Sequence, residues 1–135
     1  MKKILISGLV AGIVLLIFSV AALYLTILLF PAMALQYYNP AFQSGNSRDI
    51  LYYIHPFVLS LMLAWFWERF KGVLTGGFTM RGIEFGLIYS LVATLPAMWI
   101  IFSAMSVTFA MVLMWFVYGL LQSIIAGLIC EKINP

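Results

Sequence analysis

From Phe85 to Cys130 the chain runs 46 residues without a single Asp, Glu, Lys or Arg. As one helix this run would be about 69 Å long at 1.5 Å per residue, roughly twice the ~30 Å hydrocarbon core of a bilayer. It must therefore cross and fold back once. The sequence predicts the turn at Ser103-Ala104-Met105-Ser106, with Ser106 capping the helix that follows. Two further uncharged runs, Ile4–Phe30 and Ile50–Trp67, supply two more crossings. The expected spans are therefore four: 4–30, 50–69, 82–103 and 106–130.

Composition sharpens this reading. Hydrophobic residues make up 65% of the 135 and charged residues 8%, against roughly 45–50% and 25% in soluble domains. A soluble enzyme, a disordered chain and a disulfide scaffold are all excluded by those proportions. The expected fold is all-α: one integral-membrane domain over residues 1–135, four transmembrane helices forming two tandem hairpins in an antiparallel bundle. Lys2, Lys3, Arg69, Lys71, Arg81 and Lys132 fall on one side of such a bundle and only Arg48 on the other. Short basic loops stay cytoplasmic, so both termini are expected in the cytoplasm and the chain in the cell (inner) membrane. Tyr37, Tyr38, Tyr52 and Tyr53 then form an outer aromatic belt, and Trp65, Phe66, Trp67 and Phe70 an inner one. The first apolar run exceeds the ~7–15 residues of a secretory leader and reads as a span. The one long loop, 31–49, is expected outside, with Gln43–Ser47 its flexible part. Pro96 is expected to kink the third span, and Pro56 either to kink the second or to delay its start by one turn.

Two segments resemble one another. Gly8-Leu9-Val10-Ala11-Gly12-Ile13-Val14 matches Gly82-Ile83-Glu84-Phe85-Gly86-Leu87-Ile88 in the placing of its glycines, and Glu68-Arg69-Phe70 matches Glu131-Lys132-Ile133. This is the pattern a duplicated hairpin would leave.

Small residues recur every fourth position: Gly8 and Gly12, then Gly82, Gly86 and Ser90, then Gly119, Ser123 and Gly127. Such spacing keeps them on one helix face, where two backbones can approach. These faces serve either packing within the chain or docking of another membrane helix. Glu84 is the one acid inside a span. A carboxylate there is costly and often functional, yet in the first turn of a helix it also complements the dipole, and Arg81 three residues earlier could pair with it. Gln122 needs a partner in hydrocarbon and is expected either to bridge helices or to line a polar path. Trp115, Phe116 and Tyr118 are expected near mid-membrane, as core packing or as the wall of a lipid or quinone pocket. His55 reads as an interfacial anchor and Cys130 as a buried thiol, with lipidation the other reading of Cys130.

No catalytic pair is expected, because His55 and Glu84 belong to opposite membrane faces. One histidine and one cysteine suggest neither a metal centre nor a bound cofactor, and no basic stripe suggests nucleic acid. The expected partners are the bilayer and other membrane helices, in a homo-oligomer or a larger complex. The leading expectation is a non-catalytic accessory or assembly subunit that docks on its partner through these small-residue helix faces. The alternative is a small homo-oligomeric transporter or channel using Glu84 and Gln122.

Overall fold

A computed structural model describes residues 1–42 and 48–135, apart from the side chain of Ala41. The expected flexible stretch Gln43–Ser47 lies outside the described residues. Six α-helices follow in chain order: α1 (Lys2–Leu29), α2 (Pro31–Gln36), α3 (Asp49–Phe70), α4 (Phe78–Tyr89), α5 (Leu95–Ala104) and α6 (Phe109–Ile133). A π-helical turn, Ser90–Thr94, joins α4 to α5, so Phe78–Ala104 is one continuous helical rod. Among the described residues four helices are thus long and apolar enough to cross a membrane: Lys2–Leu29, Asp49–Phe70, Phe78–Ala104 and Phe109–Ile133.

The last of these starts later than expected. Ser106 does not cap it. Thr108 does, its Oγ1 accepting the Met111 backbone N–H at 3.3 Å while Thr108 itself stays extended. The described part of the long loop holds α2 and a 3₁₀ turn at Pro40–Phe42. Pro31 opens α2, where its missing N–H costs nothing.

The two helix prolines are accommodated differently. At Pro96 a regular helix would drive the ring into the Val92 carbonyl. The chain widens instead: Leu95 N–H bonds Ser90 O, five residues back, and Pro96 falls in the first turn of α5. Pro56 lies inside α3, fully buried, and the helix runs through it from Asp49. It does not delay the start of the helix.

Glycines set the packing. Gly8 meets Leu61 and Ala64, and Gly12 meets Phe57 and Ser60, so α1 lies against α3. Gly82 meets Leu128 and Gly86 meets Ile124, while Gly127 faces the Gly82 carbonyl, so α4 lies against α6. The seam continues upward where Gly119 meets the Thr94 methyl. The two similar segments therefore do the same job, each offering a glycine pair to large residues of the returning helix. Between the hairpins, α6 packs on both α1 and α3, and Phe85 fits between Phe66 and Trp67 at ring-centroid distances of 5.3 and 5.1 Å.

Three buried hydroxyls are satisfied within their own helices. Ser7 donates to Lys3 O, Ser19 to Leu15 O and Ser60 to Phe57 O. Ser123 reaches the Gly86 carbonyl of α4 at 3.1 Å and shares a 3.0 Å hydrogen bond with Ser90. Neither contact would fit if Gly86 carried a side chain.

A methyl group at Gly86 would sit 2.5–2.7 Å from Ile124 side-chain and backbone atoms, and backbone cannot step aside. Gly86→Ala is expected to lower bilayer-mimetic stability by about 1–3 kcal/mol, the usual cost of overpacking. Gly72, with nothing within 4 Å, is the control. Unfolding by SDS titration, followed by circular dichroism, measures both. Equal stability of the two variants would show the α4–α6 contact to be slack.

Candidate functional site

Polar side chains gather in three places. The first is the end of the bundle where α3 and α6 finish and α4 begins. Arg81 of α4 donates from Nη1 to Glu131 Oε1 at 2.5 Å and from Nη2 to the Lys71 carbonyl at 2.8 Å, with its guanidinium 5.6 Å from the centre of the Trp67 ring. It thus caps a helix C-terminus with a cation while pairing a buried carboxylate. Trp67 donates its indole N–H to Asn134 O, Lys71 donates to Asn134 Oδ1, and Asn134 donates to Glu68 Oε2. Three helices and the segment after α6 are tied by these bonds. Arg81 Nε and Glu131 Oε2 are buried without a partner.

This corrects one expectation. Arg81 does not pair with Glu84, three residues along the same helix. It pairs with Glu131, fifty residues away, because the Gly82–Leu128 contact brings the two helices into reach. Glu84 is half-buried on the other flank of α4 and makes no ion pair or hydrogen bond among the described residues.

The second place is the middle of the bundle. Tyr118 donates its hydroxyl to Ser19 Oγ at 2.6 Å, and Gln122 donates to Tyr118 Oη at 3.0 Å and to Ser19 Oγ at 3.4 Å. Gln122 is buried and bridges α6 to α1. No contact joins it to Glu84, so the two groups assigned to a polar path are not brought together within one chain.

The third place is the opposite end, where a cleft of about 630 Å³ opens between α1, α3, α6 and the segment after α2. Ser19 and Tyr118 lie at its floor, Tyr52, Tyr53 and Trp115 in its walls, and Arg48 and Asp49 at its rim. The helix spacings that build it are i, i+4 and i+7: Ser19, Leu23 and Thr26 on α1, Asp49 and Tyr53 on α3, Met114 and Tyr118 on α6. The segment after α2 is pinned over it. Trp115 donates to Tyr37 Oη at 2.5 Å, the Tyr37, Phe42 and Trp115 rings pack together, and Thr108 donates to Gln36 Oε1.

Trp115 lies at this end of the bundle, less than two turns into α6. Tyr37, Tyr52 and Tyr53 line the cleft as well as ringing its end. The sequence carried a signal for this, tyrosines at matching depth on two segments, but not their convergence. Arg48 and Asp49 were missed as site residues. His55 is exposed on α3 and outside the cleft. Cys130 is fully buried beside Ser7, which removes it from the reach of a lipidating enzyme in this fold. All eight small residues of the sequence stripes make helix–helix contacts within the chain: the six glycines described above, and Ser90 with Ser123.

Among the described residues the architecture is thus all-helical, with four helices long and apolar enough to span a membrane. Compared with models of known protein families, with curated proteins and with solved structures, it matches none of them.

Removing one partner of a buried ion pair strands the other charge, at a cost of about 3–5 kcal/mol, whereas replacing both with apolar groups can be nearly neutral. Glu131→Leu alone is expected to unfold the charged end. Arg81→Met with Glu131→Leu is expected to recover most of the loss in the same SDS titration. Full additivity of the two single changes would show that the pair is not coupled.

Proposed function

We propose that this chain is a non-catalytic accessory subunit of a larger membrane complex. In this reading its spans form an antiparallel bundle with both termini on the cytoplasmic face of the cell membrane. The opposed order of contacts, Gly8 with Leu61 and Gly12 with Phe57, supports the antiparallel arrangement. The gathering of Arg81, Lys71 and Lys132 with the end of α6, against Arg48 at the other end, supports the orientation.

The observation that carries the reading is Glu84. Because the glycine seams close inside the chain, docking through them is not available to a partner. What stands outward is the flank of the third span: Glu84, then Leu91, Leu95 and Trp99, with no residue of α5 buried. A half-buried carboxylate on such a face, lacking any cation of its own, suits a partner helix that brings a Lys or Arg to it. The homo-oligomeric transporter reading would need Glu84 of one copy and Gln122 of another to share a path, and Gln122 is enclosed by Ser19 and Tyr118.

Extraction in mild detergent, followed by mass and composition of the particle, tests this. A second protein in fixed stoichiometry is expected, and Glu84→Gln is expected to release it while leaving the chain's own helicity and SDS resistance intact. A particle holding only copies of this chain would contradict the accessory role, and ion flux from liposomes lost in Glu84→Gln would replace it with the transporter.

A further inference from the structure

The cleft at the tyrosine end is not used by that reading. Its volume, about 630 Å³, falls within the roughly 300–1,000 Å³ of sites that enclose small organic molecules. Its walls are aromatic, and its depth along α1 from Thr26 to Ser19 is seven residues, about 10 Å. Its rim carries one charge of each sign on consecutive residues, Arg48 and Asp49. Both are exposed, and neither makes an ion pair among the described residues.

A rim with one fixed cation would select an anion, and a rim with one fixed anion a cation. Consecutive unpaired charges of both signs suit a head group that is itself dipolar. A guanidinium takes a phosphate by paired hydrogen bonds. A carboxylate beside aromatic faces, here Asp49 with Tyr52 and Tyr53, suits an ammonium, which aromatic rings also attract through their negative faces. Below the rim, Leu23, Met114 and Trp115 offer an acyl chain an apolar wall. A neutral planar ring such as a quinone would use the walls but leave both rim charges idle.

We propose that the cleft binds one zwitterionic phospholipid, its phosphate on Arg48, its ammonium on Asp49 and the upper part of one acyl chain along α1 and α6. The site is independent of the Glu84 face and can stand or fall without it.

Native mass spectrometry from detergent provides the test, with the whole protein incubated with equal amounts of dioleoyl phosphatidylethanolamine, phosphatidylcholine, phosphatidylglycerol and a ubiquinone of short tail. One zwitterionic lipid per chain is expected, retained about ten-fold over phosphatidylglycerol, a difference of about 1.4 kcal/mol. Asp49→Asn is expected to abolish that preference, and Arg48→Gln to weaken retention of both phospholipids without abolishing it, each at unchanged helicity. Equal retention of phosphatidylglycerol, a preference that survives Asp49→Asn, or retention of the quinone alone would overturn the proposal. A second readout uses unaltered protein: phosphatidylcholine brominated on its upper acyl chain is expected to quench tryptophan fluorescence more strongly than brominated phosphatidylglycerol. Equal quenching would overturn it too.

Discussion

Between helices surrounded by lipid tails no hydrophobic force acts, since one apolar side chain is as well placed against lipid as against another helix. Association must come from close packing and from polar groups that find each other. The α4–α6 seam supplies both. Gly82 and Gly86 let Leu128 and Ile124 approach to within a side chain's missing width, and Gly127 brings its own helix against the Gly82 carbonyl. That proximity lets Ser123 bond the Gly86 carbonyl. It also fixes the register in which Arg81, one residue before Gly82, meets Glu131, three residues after Leu128. The charged end is thus a consequence of the seam and not an independent lock.

The opposite end follows from where the seam stops. Above Thr94 and Gly119 the rod continues as α5, which buries no residue of its own. There α6 turns its Tyr118 and Trp115 toward α1 and the segment after α2. A cleft remains where a tightly packed bundle would have closed. One end of the molecule is therefore tied by the buried Arg81–Glu131 pair and the other is open and aromatic, and the two functional proposals use different surfaces of the same scaffold.

Much of this was legible in the residues. Lengths of uncharged chain gave four spans within a few residues of their ends, because apolar run length and the first charged residue are local properties. The small-residue stripes were equally plain, since a spacing of four is written in the chain. Their partners were not, because a stripe does not say which helix it meets. Arg81 illustrates the limit. From sequence its nearest acid is Glu84, but the acid it pairs with is fifty residues on and depends on helix register. Thr108 in place of Ser106 as the cap is a smaller case, two residues of the same chemistry competing within one turn. The cleft was beyond reach for a related reason: its tyrosines were visible, but their convergence depends on how three helices and a connecting segment lean together.

The seam's closure inside one chain is the central claim, and Ser90 with Ser123 allows it to be tested directly. Their hydroxyl oxygens lie 3.0 Å apart across α4–α6. Ser90→Cys with Ser123→Cys, in a Cys130→Ala background, should oxidise to a disulfide within the chain, giving a cross-linked monomer on a denaturing gel that reduction reverses. Cross-linked dimers would contradict the account, because they would mean that the glycine seam joins two copies rather than the two arms of one hairpin.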